Sequence, residues 1–466
     1  MKNNHSGIFN FNNKNQNIYI IGDIHGDYQC FIHCMVDLCK VTSISKIYND
    51  VECNYNNREY LEWNHNNNSV VVFCGDIIHR KRFIDHVLDD ECSDVYLLNT
   101  ILRLKKAAEQ YGGNIILIAG NHEIMNLVTP DEQTYTSKLN FKMNMEYFTN
   151  SKTIKEFINN SFAWIKINDI LITHGGLCSE YLDYFENNTN KFNLKDNSII
   201  KYVNNKYLEY FENFDYKNID KNTEGYELFI EYNIDNKKKH NMFWCREWGY
   251  SGINCDKYDL LLKKVDCKKM IIAHCPQFLS PDQPKMINFD CANSNQNSNQ
   301  NSNLNKSNEY NLARIDLGMS RSFEYNKEKN FIYYLNNNYH RKIAILKLLI
   351  DNDNNLYFNN SSIITLQLSC IQYLLLKYGL DYKDWINKNI CSNWIGFKYI
   401  QNVIAKLNDN NFKNSFNNCK KLLNDTNIKI NDNDTIVMCL LYPIFKSNSR
   451  DIQSINEFNQ FNKLSI

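Results

Sequence analysis

The stretch Ile18-Tyr19-Ile20-Ile21-Gly22-Asp23-Ile24-His25-Gly26-Asp27 decides the reading of this chain. An uninterrupted apolar run ends in a glycine, and acids and a histidine follow at once. Continuity rather than alternation is the mark of a strand covered on both faces, and glycine permits the tight turn that ends it. The pattern returns along the chain. Val70 to Phe73 leads into Gly75-Asp76-Ile77-Ile78-His79-Arg80, and Ile115 to Ile118 into Gly120-Asn121-His122-Glu123. Ile170 to Thr173 leads into His174-Gly175-Gly176, and Met270 to Ala273 into His274-Cys275-Pro276-Gln277. Each strand thus hands Asp, His, Asn or Arg to its own C-terminal end, where open α/β sheets place their ligands.

Around these strands, Val95 to Tyr111 has leucines and isoleucines at helical spacing with Gly112-Gly113 as a stop, which makes a strand-helix-strand unit. Lys342 to Ile350 and Leu356 to Phe358 flank the turn-like DNDNN and predict a hairpin that finishes a sheet. Glu180 to Asn241 is polar and reads as a helical insertion. Asn293 to Asn308 has almost no apolar residue and is expected to be a disordered loop inside the domain. From about Ser362 the pattern turns helical. The expected organisation is a flexible N-terminus over 1–17, a catalytic domain over 18–358 with the insertions 180–241 and 293–308, and a helical extension over 359–466.

Composition narrows the function classes. The chain has 466 residues, 43% hydrophobic and 22% charged, so a sizeable core is available. Its Lys+Arg count of 52 equals its Asp+Glu count of 52, which argues against a global electrostatic grip on nucleic acid or an acidic membrane. Apolar stretches such as Val437 to Phe445 fall far short of the ~20 residues of a spanning helix. Met1 to Asn17 is polar and carries no secretory pattern. The 16 cysteines are scattered without a C-x-x-C pair and are expected to be reduced thiols in a reducing intracellular compartment.

Carboxylates, imidazoles and an amide carbonyl are ligands for borderline divalent metals, and an arginine is a phosphate handle. Any one of these motifs is weak; the ordered set, each at a strand end, is strong. GDIHGD, GDIIHR, GNHE, THGG and AHCPQ resemble the signature of calcineurin-like metallophosphoesterases, specifically the phosphoprotein phosphatase superfamily. Phe243-Trp244-Cys245-Arg246-Glu247-Trp248 and Ile315-Asp316-Leu317-Gly318-Met319-Ser320 resemble segments of its bacterial-like, Shewanella-like branch.

The resemblance implies a four-layer α/β sandwich, two mixed sheets flanked by helices. It implies two divalent ions, with manganese expected and iron or zinc as alternatives. Asp23 and His25 would hold the first ion, Asp76 would bridge, and Asn121, His174 and His274 would hold the second. By the same resemblance the ions would activate water for attack on phosphorus, His122 would protonate the leaving oxygen, and Arg80 and Arg246 would hold the phosphate oxygens. Asp27 and Glu123 would orient ligands.

One position departs from the family pattern. G-D-x-x-D-R-G places an aspartate where His79 stands, and Lys81 replaces the final glycine. Three outcomes are open: another acid such as Asp85 serves His122, His79 relays a proton, or the acid step is impaired. The implied substrate is a phosphorylated protein, on serine, threonine or tyrosine, or a small phosphoester. The alternatives are a nucleotide anhydride such as a dinucleoside tetraphosphate or an RNA cap, and a catalytically weakened binding protein. No membrane partner is expected, and nucleic acid only as an RNA cap.

Overall fold

The computed structural model describes residues 6–11, 15–50, 55–79, 93–128, 152–187, 198–212, 214–215, 217–230, 242–277, 287–292, 309–319, 342–351, 353 and 355–367. The chain divides into two units, Met1–Leu366 and Gln367–Ile466, and the architecture below is that of the first.

The predicted strands form where the apolar runs lie: β2 (Ile18–Ile21), β5 (Val70–Phe73), β6 (Asn114–Ile118), β9 (Ile170–Thr173) and β10 (Lys269–Ile272). β5 is buried at every residue because it sits between β2 and β6 in the middle of a sheet, parallel to both. That sheet continues through β7 (Ser161–Phe162) on one side. On the other side lie β13 (Lys342–Ile350) and β14 (Leu356–Tyr357), the expected hairpin, with β13 antiparallel to β2. The second large sheet has the order β1 (Ile8–Phe9), β8 (Trp164–Ile167), β9, β10, β12 (Tyr310–Arg314), β11 (Asn288–Ala292). Within it β9, β10 and β12 run parallel, so their C-terminal ends share one edge.

The inner faces of both sheets and their covering helices form one continuous apolar cluster. α2 (Ser93–Gln110) buries Leu97, Leu98, Ile101, Leu104 and Ala108 on the side that packs against β6. Each fully buried side chain of this kind contributes about 1.5–3 kcal/mol. The segment expected as an insertion is helical, with α5 (Ser179–Asn187), α6 (Ser198–Glu212) and α7 (Glu224–Phe229). α6 belongs to the core: Ile200, Val203 and Tyr207 are buried, and Asn204 Oδ1 accepts from Ala163 and Trp164 N–H at 3.0 and 3.2 Å. The remaining helices are α1 (Tyr28–Ile32), running into a wider turn over His33–Leu38, α3 (Asn121–Val128), α4 (Lys152–Asn160) and α8 (Cys255–Lys264).

Three expectations are corrected. The N-terminus expected to be flexible supplies β1, which pairs with β8, and Phe11 N–H donates to Asn168 Oδ1 at 2.9 Å. The helical pattern expected from Ser362 begins instead as β15 (Ile363–Gln367) on β13, where β-branched Ile363, Ile364 and Thr365 suit a strand better than a helix. The cysteines are not all thiols: Cys178–Cys245 and Cys255–Cys291 are disulfides, closing sequence separations of 67 and 36 that no local pattern reveals. The described free cysteines are buried fillers, as expected.

A further element escaped the sequence reading. β3 (Thr42–Asp50) and β4 (Tyr55–Trp63) form a separate two-stranded sheet, whose alternation is diluted by Asn, Lys and Glu. Asn293 to Asn308 and 368–466, including the expected C-terminal helices, lie outside the described residues.

Candidate metal centre

Both sheets bring the loops at their strand ends together. The loop after β2 is pinned on the loop after β5: Ile24 and His25 N–H donate to Asp76 O at 3.1 and 2.8 Å, and Gly26 N–H to Ile77 O at 2.6 Å. The two sheets are joined by His174, whose Nδ1 lies 2.8 Å from Cys74 O. That carbonyl can only accept, so Nδ1 carries the proton and Nε2 is left to face the centre. Glycine is required where these loops touch. A Cβ on Gly120 would collide with the backbone nitrogen and carboxylate of Asp76, and one on Gly75 would stand 2.7 Å from Gly120 Cα.

Asp76 is the hub. Its Oδ2 lies 3.7 Å from both His25 Nε2 and His122 Nε2, while its Oδ1 lies 3.4 Å from His174 Nε2. Asn121 Oδ1 stands 2.8 Å from His174 Nε2 and 2.9 Å from His274 Nδ1. Asp23 Oδ2 is 3.8 Å from His25 Nε2. Two donors that share an ion at about 2.1 Å each can be no more than ~4.2 Å apart, and all these separations satisfy that limit. The donors form two groups that share Asp76, His25–Asp76–His122 and Asp76–His174–His274, each with its atoms within 4.8 Å. Neutral imidazole, carboxylate and amide oxygen in this mixture fit a borderline divalent ion.

Strain accompanies the arrangement. His25, Asp76, His79 and His274 all have left-handed φ, at 46, 50, 80 and 65°. Asp and His are among the non-glycine residues that tolerate this region best, and such strain gathers at functional sites held by their surroundings.

The electrostatics follow from burial. Burial pushes the Asp23 carboxyl well up, and the neighbouring carboxyls of Asp316 and Asp76 push it further. Burial alone would also raise Asp76, but the imidazoles of His122, His174 and His25 around it hold it well below the usual carboxylate range. Burial followed by the charge of Asp76 pushes Glu123 up to about 7. Glu123 accepts from four backbone N–H groups: Asp76 and Gly120 on Oε2 at 2.9 and 2.7 Å, and Ile77 and Ile78 on Oε1 at 2.8 and 3.0 Å. It clamps the loop after β5 to the loop after β6. Asp27 Oδ1 accepts from Cys30 N–H at 3.1 Å at the head of α1, so it fixes the turn behind His25.

His79 Nδ1 lies 2.6 Å from His122 Nδ1, and His79 N–H donates to Asp94 Oδ1 at 3.0 Å. The His122 side chain is 15% exposed, with Nε2 3.7 Å from Asp76 Oδ2, while the other donors are buried. Arg246 is exposed on the rim, with Nη1 3.5 Å from Cys275 Sγ. The preceding Trp244 stands edge-on to His274 at 5.7 Å. Arg80 and Asp85 lie outside the described residues. The Cys178–Cys245 disulfide ties the loop carrying His174 to the segment carrying Arg246, and Glu247 reinforces that tie by accepting from Ser179 N–H and Oγ at 2.8 and 2.6 Å.

Among solved structures, the chain is similar to a point mutant of a cold-active protein tyrosine phosphatase, with 14% identity, a TM-score of 0.47, and coverage of 79% of this chain and 85% of that one. It is also similar to a cold-active protein tyrosine phosphatase of a psychrophile Shewanella species, with 14% identity, a TM-score of 0.44, and coverage of 78% and 82%. No curated protein matches the chain. The family model of the calcineurin-like phosphoesterases matches residues 16–274, more than half of the chain and the span that holds every donor described above. With that match, and with Asp, His and Asn donors gathered at the strand ends, the chain belongs to the calcineurin-like phosphoesterase family and is a phosphoric ester hydrolase.

Proposed function

We propose that this chain is a two-metal phosphomonoesterase of the bacterial-like phosphoprotein phosphatase branch, acting on phosphorylated side chains of proteins. The observation that carries the reading is the division of the Asp76 carboxylate: one oxygen faces His25 and His122, the other faces His174. A carboxylate with a different imidazole group on each oxygen suits a bridge between two ions. Asp23 and His25 would complete the first position, and Asn121, His174 and His274 the second. Divalent ions there, manganese above iron or zinc, would supply Lewis acidity toward the phosphoryl group and activate water for attack.

The chain's own residues do the rest. Asp76 Oδ1 accepts from His122 N–H at 2.9 Å, at the positive N-terminus of α3, which fixes the carboxylate against rotation. Arg246 on the rim, with Arg80, would bind non-bridging phosphate oxygens and gain most as charge develops there. His122 would donate from Nε2 to the leaving oxygen. The Nδ1–Nδ1 contact calls for one proton between the two rings, and with His122 as the donor His79 would serve as its neutral acceptor. Of the three outcomes open from sequence, this contact supports the second, in which His79 relays a proton. A neutral imidazole supports the donor less than a carboxylate would, and this favours leaving groups that need little protonation. The same contact favours a second reading, hydrolysis of a nucleotide anhydride, whose leaving phosphate is already a weak base.

The test is phosphate release by the purified full chain with added manganese, from phosphopeptides, p-nitrophenyl phosphate, a dinucleoside tetraphosphate and capped RNA, beside Asp76→Asn. Activity on phosphopeptides that disappears in the variant supports the first reading. Activity confined to the dinucleotide or cap transfers support to the second. Absence of all activity with two ions bound per chain would overturn both and leave a binding protein.

A further inference from the structure

Two carboxylates divide the successive backbone N–H groups that run from Asp76 to His79. Glu123, in the first turn of α3, accepts from Asp76, Ile77 and Ile78 at 2.9, 2.8 and 3.0 Å. The next, His79 N–H, donates instead to Oδ1 of Asp94 in the first turn of α2, at 3.0 Å. Asp94 lies 15 residues beyond His79 and in none of the site motifs. Its bond falls on a strained residue. His79 has φ of 80°, a left-handed backbone that residues other than glycine hold only where their surroundings impose it. That backbone turn also sends the His79 imidazole to His122, Nδ1 to Nδ1 at 2.6 Å. A return to negative φ would swing the His79 side chain away, so a group that fixes this N–H fixes the contact. A carboxylate accepting from a backbone N–H makes one of the stronger hydrogen bonds available for that.

Asp94 is in turn anchored from outside the site. Two residues on, the Tyr96 hydroxyl donates to Glu59 O in β4 at 3.0 Å. Tyr28, which directly follows Asp27, donates to the same carbonyl at 2.7 Å, and the two tyrosine rings meet edge to face at 5.0 Å. The buried Arg58 guanidinium lies 4.4 Å from the Tyr96 ring centroid and 5.6 Å from that of Tyr28. Further along α2, Arg103 Nη2 donates to Leu61 O at 2.8 Å. The small sheet of β3 and β4, separate from both large sheets, therefore sets the head of α2 beside the loop after β2.

We infer that Asp94 is a positioning residue for the general acid: by holding the left-handed backbone of His79 it places the imidazole that partners His122. The inference rests on the His79–His122 pairing in the mechanism proposed above. Asp94 acts through His79 and is assigned no contact with substrate or metal. What the position needs is an acceptor oxygen on a short side chain rather than a negative charge, and asparagine separates the two, because it keeps the oxygen and loses the charge.

The experiment compares the full chain as wild type, Asp94→Ala, Asp94→Asn and His79→Ala. The first readout is nuclear magnetic resonance of protein isotopically labelled at the histidine ring nitrogens, with zinc added because it is diamagnetic. Wild type is expected to show a scalar coupling between two Nδ1 nuclei across a shared proton, and its loss in His79→Ala assigns it. Asp94→Ala is expected to lose the coupling while still melting cooperatively, and Asp94→Asn to keep it. The second readout is turnover with manganese. Asp94→Ala is expected to lower kcat on a phosphoserine peptide about tenfold, as misplacement of a catalytic group does, with p-nitrophenyl phosphate changing much less, and Asp94→Asn to restore the ratio of the two rates. Coupling retained in Asp94→Ala would overturn the inference. So would both rates falling by one factor, the mark of a general loss of structure, or Asp94→Asn behaving as Asp94→Ala, which would assign the effect to charge. Wild type without the coupling would remove the pairing and the inference with it. Wild type that shows the coupling but hydrolyses no ester would sink the phosphatase reading alone, and the spectra of the variants would still decide the role of Asp94.

Discussion

The imidazoles of His79 and His122 meet Nδ1 to Nδ1 at 2.6 Å, with ring centroids 4.7 Å apart, and His79 holds left-handed φ at 80° to make the contact. The family pattern has a carboxylate where His79 stands, and here a second imidazole occupies the same role of partner to His122. An imidazole at this place lacks the fixed negative charge of a carboxylate. Its consequence should be read in the dependence of rate on the leaving group.

His79→Asp is expected to raise kcat on alkyl phosphates such as phosphoserine peptides by about 10–100-fold, within the range of general-acid effects. Turnover of p-nitrophenyl phosphate, whose leaving group needs little protonation, is expected to change much less. The measurement is the ratio of the two rates in each protein. An unchanged ratio would show that the imidazole supports His122 as well as a carboxylate does.

Gly120→Ala should be inactive without being unfolded. The new methyl group meets the Asp76 backbone and carboxylate rather than a flexible side-chain tip, so the bridging acid must shift. Manganese content per chain and circular dichroism separate the outcomes. Retained metal and activity would mean that the loops after β5 and β6 have more room than this packing allows.

Glu123→Gln places an N–H₂ group among four backbone N–H donors that now share two carboxylate oxygens. Losing acceptors for buried donors costs about 1–3 kcal/mol each. The loop carrying Asp76 should therefore loosen, with lower Tm and weaker metal binding together. A variant that melts lower but binds manganese normally would restrict Glu123 to stability.

The Cys178–Cys245 bridge closes a long loop between the His174 and Arg246 segments. Cys245→Ser is expected to lower stability by about 2–4 kcal/mol, and mass spectrometry of unreduced peptides should find the two cysteines joined. Recovery of both as alkylated thiols from native protein would remove this tie.

Beside that bridge, Glu247 is partly buried, which raises its carboxyl, but Lys257 at 2.6 Å and the Ser179 donors outweigh this and hold it below the usual carboxylate range. A carboxyl depressed in the folded state contributes stability above its unfolded value of about 4.3 and loses it as pH falls through the folded value. The gap in stability between wild type and Glu247→Gln should then be present at pH 7, at a few tenths to about 1 kcal/mol, and close at acid pH. A gap that is constant from pH 7 to pH 3 would assign it to packing.

Much of this protein was legible in sequence because its central strands are buried on both faces. Val70 to Phe73 can be read without a structure, since a parallel strand between two others must be apolar at every position, and the glycine and acid that follow must sit where the sheet ends. Backbone periodicity and turn chemistry are local, and local sequence states them. The strand-to-loop segments carrying Asp23, His25, Asp76, Asn121, His174 and His274 were legible this way, and the expectation that these residues hold metal came from the resemblance to the family. Tertiary structure decided what depends on distant segments meeting. Ile8 and Phe9 become a strand only because the edge of β8 is there to receive them, and Ile363 to Gln367 only because β13 is. Cys178 and Cys245 are bonded, and the rings of His79 and His122 meet Nδ1 to Nδ1, across residues far apart in the chain. Pair contacts of this kind are fixed by packing of whole sheets and leave no period or spacing in the sequence.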